Sequence, residues 1–306
     1  MITIGVIGLS EGNQHPYSWS AIINGDYDQA MMDHCGSPHP PAYLRANRDT
    51  LGIDDARVTH LWTQGRAVSE HCARTCRIDN VVDGMEEMIG EVDAVMLLRD
   101  DPENHVAMAR PFIDAGVPLF IDKPLAYCRE DLAYFQSQVA RGKHIASCSS
   151  MRYCAGVQAA RVQMPDIGQV ELAVTVGKKD WRKYAIHYLE AMLSLLGDPK
   201  VLAVTHVSLT KGRDVAYLEL EGDILATVHV FMDIAPGGEL NIYGTHGNVR
   251  VDYGSAYVAF RNNIEQAIAG FRRDVPTIDF DKTCNVVRAL IAGRESLEAG
   301  GKRILT

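Results

Sequence analysis

The chain lacks the marks of several protein classes. No apolar run approaches the ~20 residues that a membrane-spanning helix needs. The opening Met1-Ile2-Thr3-Ile4-Gly5-Val6-Ile7-Gly8 has neither the basic start nor the long apolar stretch of a signal peptide, and reads as a first β-strand. Seven cysteines, at 35, 72, 76, 128, 148, 154 and 284, form no C-x-x-C pair, so a zinc ribbon or a thioredoxin-like motif is excluded. His71, Cys72 and Cys76 fall on one predicted helix, where buried thiols are expected rather than a metal site. Scattered, unpaired thiols suit a reducing compartment, and a cytoplasmic location is the expectation. Positive charge is also short: 30 Lys and Arg against 39 Asp and Glu leave −9. An acidic chain of this kind disfavours nucleic acid and anionic membranes as partners.

What is present is ordinary in bulk. Charged residues are 23% and hydrophobic residues 47%, which excludes a disordered or fibrous chain. A length of 306 residues suggests about two domains. The first part alternates strand and helix signals. Strands are predicted at Ile2–Gly8, Val58–Thr63, Asp93–Leu98, Leu119–Ile121 and Ile145–Cys148. Helices are predicted at Tyr17–Asn24, Ala42–Leu51, Ala67–Cys76, Asn104–Ala115 and Arg129–Arg141. Residues 35–41, with Pro38, Pro40 and Pro41, read as loop. This rhythm implies α/β architecture with a parallel sheet covered on both faces.

Later the rhythm changes. A strand at Gln169–Val176 leads to a helix at Lys183–Leu196. Strand signals then follow one another at Val201–Leu209, Val215–Leu220, Ile224–Met232, Leu240–Tyr243 and Val249–Asp252, joined by turns such as Glu221-Gly222-Asp223. Helices at Asn263–Phe271 and Lys282–Ala299 finish the chain. The second part is therefore α+β, with a mostly antiparallel open sheet.

The first strand runs into Gly8-Leu9-Ser10-Glu11-Gly12-Asn13. A dinucleotide fingerprint has glycine at positions 8, 10 and 13; here these are Gly8, Ser10 and Asn13, with an extra Gly12. Gly8 can make the tight turn, and small Ser10 admits a pyrophosphate and offers a hydroxyl. Beyond it, His15 and Tyr17 could approach the nicotinamide or pyrophosphate, while Trp19 reads as core. The end of the second strand reads Trp62-Thr63-Gln64-Gly65-Arg66. No acid is there to bind a ribose diol, and Arg66 is close, so the pattern leans slightly to NADP over NAD.

Residues 93–126 resemble the glucose–fructose oxidoreductase/inositol dehydrogenase family, Gfo/Idh/MocA. Asp101-Pro102 and His105 resemble its T-P-x-x-x-H segment, Ala115-Gly116 its helix end, and Asp122-Lys123-Pro124 its E-K-P turn. Ser150-Met151-Arg152-Tyr153 and Gly244-Thr245-His246-Gly247 are similar to later family segments. The resemblance implies a Rossmann dinucleotide-binding domain, 1–122, and an α+β substrate-binding and oligomerisation domain, 123–306. It implies cofactor contacts from Gly8, Ser10, Gly12, Asn13, Thr63, Gln64, Arg66, His105, Asp122 and Lys123. It also gives Lys123 the role of polarising a substrate oxygen.

In the second part, Gly177 to Glu190 is similar to the family's G-x-x-x-x-x-D-x-x-x-H-x-x-D. His187 matches the histidine, and Glu190 takes the later acid position. Lys183 stands where the family carries an aspartate. A histidine suits proton transfer near neutral pH, so His187 is the candidate general acid/base, with Lys183 beside it and Arg152, Tyr184 and Lys183 as substrate contacts. Lys178, Lys179, Arg182 and Lys183 form a basic cluster that suits an anionic, sugar-like substrate, although a solvated helix start would look the same.

The expected function is an NAD(P)-dependent oxidoreductase acting on a carbohydrate-like hydroxyl or carbonyl, assembled as a homodimer or homotetramer. A non-catalytic sensor or scaffold, or a redox-assisted lyase or glycosidase, would use the same fold.

Overall fold

The computed structural model describes residues 1–235 and 237–306. The chain forms two compact units, each drawn from more than one stretch of sequence. The first comprises Met1–Leu125, Ala133–Ser147 and Phe260–Phe280; the second comprises Ala126–Leu132, Cys148–Ala259 and Asp281–Thr306. The first unit thus takes in segments well beyond the expected 1–122.

The first unit is built on β1 (Ile2–Ile7), β2 (Ala56–Trp62), β3 (Asn80–Val81), β4 (Ala94–Leu97), β5 (Leu119–Ile121) and β6 (Ile145–Ala146). They lie in the order β3-β2-β1-β4-β5-β6, and every pairing is parallel. β4 and β5 are buried along their whole length, as strands covered on both faces must be. The order reverses between β1 and β4, and open α/β sheets bind ligands at the carboxyl ends of strands at that point.

The second unit holds β7 (Val170–Lys178), β8 (Val201–Thr210), β9 (Arg213–Leu220), β10 (Leu225–Phe231), β11 (Glu239–Gly244), β12 (Asn248–Asp252) and β13 (Ile304–Leu305). Their order is β12-β11-β7-β10-β9-β8-β13, antiparallel except for β10 with β7. Exposure alternates along β9, β10 and β12, so one face is buried and the other is not. Ala216, Leu218, Val228, Val230, Ile242 and Val251 on the buried face share a core with Leu189, Met192 and Leu193 of the helix Ile186–Leu195. That core includes Ala226, Val228 and Val230 of β10.

Several expected boundaries moved for identifiable reasons. Residues 35–41 are not all loop: a helix spans His39–Ala46, and Pro40 and Pro41 sit in its first turn. Proline is tolerated there because those N–H groups have no helical partner anyway. The helix expected at Lys183–Leu196 opens with a π-helical turn, Trp181–Ala185, before the α-helix. Asn263–Phe271 extends to Ala256–Arg273. β3, β13 and the single-turn helix Gln29–Met32 are too short to show a period in sequence.

Trp181 anchors the second core. Its indole Nε1–H donates to the Leu290 carbonyl at 3.0 Å, and its ring stacks on His206 at 4.4 Å. Gly293, within the helix Phe280–Glu298, leaves room for that ring: a Cβ there would fall 2.2 Å from Trp181. Gly293→Ala is therefore expected to destabilise the protein by about 1–3 kcal/mol, despite alanine's better helix propensity. Thermal unfolding of the variant checks this, and an unchanged midpoint contradicts it.

Candidate functional site

The first unit gathers its polar residues at the carboxyl ends of β1, β4 and β5. Gly8 leaves β1, and a Cβ there would lie 2.3 Å from the Pro16 ring, so the turn can press against the next helix only with glycine. Gly12 has φ +80 and would meet nothing within 4 Å of an added Cβ, leaving the turn open in front of the helix His15–Asn24. That helix receives no side-chain cap from Gln14. Instead the Asn13 side-chain oxygen accepts the His15 N–H at 2.8 Å. An open turn leading into a helix N-terminus is the arrangement that holds a cofactor pyrophosphate, and the residues fit that group.

The two residues that replace fingerprint glycines both reach acids. The Ser10 hydroxyl donates to Asp100 Oδ1 at 2.6 Å and accepts the Asp100 N–H at 3.0 Å. Asn13 Nδ2 donates to Asp122 Oδ2 at 2.8 Å. His15 Nδ1 donates to the same oxygen at 2.6 Å, and the Lys123 N–H donates to Asp122 Oδ1 at 2.8 Å. Lys123 Nζ lies 3.8 Å from Asp100 Oδ2. Lys123, Asp100 and Asp122 are all nearly buried. Burial alone pushes the Asp122 carboxyl up; the charges of His15 and Lys123 and the bonds from His15 and Asn13 outweigh it and hold the group below its ordinary value. His15 itself stacks on Trp19 at 4.9 Å and meets the Phe260 ring edge-on at 5.0 Å.

A second set of bonds crosses the turn. Gln64 takes the Leu9 N–H at 3.0 Å and donates to the Leu9 carbonyl at 2.6 Å. Arg99 Nη1 donates to the Leu9 carbonyl and to Gln64 Oε1, while its other edge grips Asp101. Thr63 is turned inward, with its hydroxyl hydrogen-bonded to the Gly65 carbonyl and Ser69. Arg66 is engaged by Glu70 at 2.9 Å and Asp83 at 2.6 Å. His105 is fully buried between the carbonyls of Leu125 and Arg99, each at 3.0 Å, and burial keeps it from protonating at its ordinary pH. It ties the loop after β4 to the segment after Lys123. Tyr17 is core, its hydroxyl paired with His71, and Trp19 is core as well.

The second unit carries the other candidates. Asp180 caps the π-helical turn by accepting the Lys183 N–H at 2.8 Å. His187 Nδ1 lies 2.7 Å from Ser149 Oγ, and its ring meets Tyr184 at 5.4 Å in a T-shape. Lys179 is hydrogen-bonded to the Tyr184 hydroxyl and sits 4.1 Å above its ring, and Arg182 lies over Tyr127. Glu190 and Arg152 are put to internal use. Arg152 Nε donates to Glu190 Oε1 at 2.5 Å, its other nitrogens grip Asp198, and Lys282 reaches Asp198 at 3.0 Å. Glu190 Oε2 accepts the Ser149 N–H at 3.3 Å. Burial pushes the Glu190 carboxyl up against the opposing pull of Arg152. Arg152, expected as a substrate contact, is 5% exposed and serves as a buried strut.

Asp100, Arg99 and Ser149 had no motif to mark them. Only the identity of their partners, distant in sequence, gives them a place here.

A parallel sheet in this order, with a glycine turn at the strand reversal, defines a dinucleotide-binding Rossmann domain. The family profile described as "Oxidoreductase family, NAD-binding Rossmann fold" matches residues 32–147. The N-terminal domain therefore belongs to the Gfo/Idh/MocA oxidoreductase family. Among solved structures, scyllo-inositol dehydrogenase from Lactobacillus casei with bound NAD(H) and scyllo-inositol superposes with a TM-score of 0.78 at 15% identity, covering 100% of this chain and 99% of that one. Myo-inositol 2-dehydrogenase from Lactobacillus plantarum gives 0.78 at 15%, covering 99% of each chain. Myo-inositol dehydrogenase from Lactobacillus casei with NAD(H) and myo-inositol gives 0.78 at 14%, covering 100% and 97%. At such identities the likeness establishes the fold. No curated protein matches in sequence.

The Asp122 carboxylate makes a testable contribution to stability. Its folded-state value lies below the ordinary 3.8, so its contribution is complete above that pH and is lost as acid protonates the folded state. Asp122→Asn is expected to melt lower than wild type at neutral pH, with the gap closing below about pH 4. A gap independent of pH would contradict the assignment.

Proposed function

We propose that the protein is an NAD-dependent dehydrogenase that transfers hydride between the nicotinamide and a CH–OH or C=O carbon of a sugar-like substrate. One observation carries the reading: the Asp122-Lys123 turn is bonded directly to the glycine turn and the helix start through Asn13 and His15, so a buried lysine stands next to an acid that the glycine turn holds. The inositol dehydrogenases to which the fold is similar point to cyclic polyols and related sugars as the substrate class.

The cofactor, when bound, supplies or takes the hydride. Gly8, Ser10, Gly12 and the N-terminus of the helix His15–Asn24 would hold its pyrophosphate. Gln64 would meet the adenosine ribose, and Lys123 the nicotinamide ribose and the substrate oxygen. Lys123 stabilises negative charge developing on that oxygen. His187 exchanges the proton. Thr63 and His105 hold the strand ends rather than the cofactor. Tyr184, set against Lys179, and Lys183 contact the substrate, and the lysines and arginine at 178–183 favour one that carries negative charge.

NAD is favoured over NADP. Arg66, the basis of the NADP leaning, is held by two carboxylates, and the cleft around it is lined by Glu70, Asp79, Glu87 and Glu91. A 2′-phosphate would enter a net negative field.

Quenching of the three tryptophans on titration with NADH and with NADPH tests cofactor binding. NADH is expected to bind more tightly, and no response to either would end the proposal. Lys123→Met should weaken NADH binding by no more than about tenfold while lowering kcat by about 10²–10³. Turnover is read at the nicotinamide absorbance band with a panel of polyols and sugar acids.

The uncovered face of the second sheet carries Leu172, Val174, Leu225 and Phe231, with Tyr217 48% and Tyr243 44% exposed. Apolar faces of this extent are covered in working proteins, and we infer a homodimer or homotetramer formed through it. Light scattering at micromolar concentration should give a multiple of 33.7 kDa, and Tyr217→Asp should lower it. A monomeric mass for the wild type would overturn the assembly.

A further inference from the structure

We propose that Asp100 sets the position of the Lys123 side chain, holding its ammonium by charge while leaving its N–H donors for a ligand. This rests on the reading of Lys123 as the group that meets the cofactor ribose and the substrate oxygen.

Lys123 is 7% exposed, and a charge so far buried needs a countercharge. Asp122 and Asp100 divide the lysine between them. Asp122 acts on the backbone. Its Oδ1 accepts the Lys123 N–H at 2.8 Å, and its Oδ2 is taken by Asn13 at 2.8 Å and His15 at 2.6 Å. Asp100 acts on the side chain, with Oδ2 lying 3.8 Å from Nζ. That separation is inside the range of an ion pair and beyond that of a hydrogen bond. Among the described residues, Lys123 Nζ makes no hydrogen bond. Charge therefore holds the ammonium, and its three donors stay available to the oxygens of a ligand.

Asp100 is itself braced for this task. Its Oδ1 accepts the Ser10 hydroxyl at 2.6 Å, and its backbone N–H donates to Ser10 Oγ at 3.0 Å. This two-point pairing with the glycine turn fixes the carboxylate and directs Oδ2 toward Nζ. The same pairing works against the cofactor. The Ser10 hydrogen is given to Asp100, and a carboxylate one hydrogen bond away from the turn repels a diphosphate there. Asp100 thus serves the lysine at the expense of cofactor affinity. It is a positioning residue that acts through Lys123, and its removal should move kcat and cofactor affinity in different directions.

Thermal unfolding of the full chain, without cofactor or substrate, tests the pairing. Asp100→Asn keeps an acceptor for the Ser10 hydroxyl and removes the charge. Lys123→Met should lower the midpoint less in the Asp100→Asn background than in wild type, by about 2–4 °C. Additive losses overturn the proposal, whatever the protein binds. Turnover and tryptophan quenching test the role. Asp100→Asn should lower kcat about tenfold to a hundredfold, while NADH binds as tightly as to wild type or up to about fivefold more tightly. NADH binding weakened in proportion to kcat would make Asp100 a prop of the glycine turn and overturn its role at Lys123. A kcat within about twofold of wild type would overturn it as well. The dehydrogenase reading fails separately, if wild type binds neither NADH nor NADPH, and the unfolding comparison still decides the pairing.

Discussion

The first unit depends on a single buried charge, the carboxylate of Asp122. A carboxylate with 1% exposure is tolerable only if its oxygens are paired. Asn13, His15 and the Lys123 N–H do the pairing. Each partner belongs to a different local structure: the glycine turn, the first residue of a helix, and the turn after β5. The carboxylate therefore fixes the turn, the helix and the lysine with respect to one another. A glutamate, one methylene longer, could not keep all three bonds without moving one of those pieces. The shorter acid here and the His15 that meets it are one solution.

That bonding explains why the glycine fingerprint looks incomplete. The fingerprint asks for glycine where backbone must come close to phosphate. Ser10 and Asn13 occupy two of those positions, and each spends its side chain on an acid flanking Lys123 rather than crowding the turn. Gly8, which must touch Pro16, and Gly12, which must adopt a left-handed backbone, are retained. The glycines kept are those with a steric reason.

The alternation of strands and helices was legible because parallel strands buried on both faces leave apolar runs, and because antiparallel strands with one wet face leave an alternation. The Asp122-Lys123-Pro124 turn and the His187 helix stood out in the sequence through their resemblance to family segments. Pairings were not. Nothing in the local pattern around Arg152 distinguishes a substrate contact from a buried strut, since the difference lies in Glu190 and Asp198, some 40 residues away in sequence. Arg66 looked available for a phosphate for the same reason: Asp83 lies on a different loop. The proline-rich stretch at 38–41 misled in another way, because proline forbids the middle of a helix and favours its start.

The two histidines show how partner chemistry, rather than residue type, sets what an imidazole can do. His15 faces a carboxylate that stays ionised and can only accept, so its Nδ1 must carry a hydrogen. His187 faces a hydroxyl that already receives a backbone N–H and that can give a hydrogen as well as take one. A carboxylate behind His187 would have raised its affinity for a proton and made it a base. A serine adds no charge beside the ring. Glu190 is a buried carboxylate on the same helix. Arg152 holds it, and its other oxygen accepts the backbone N–H of Ser149.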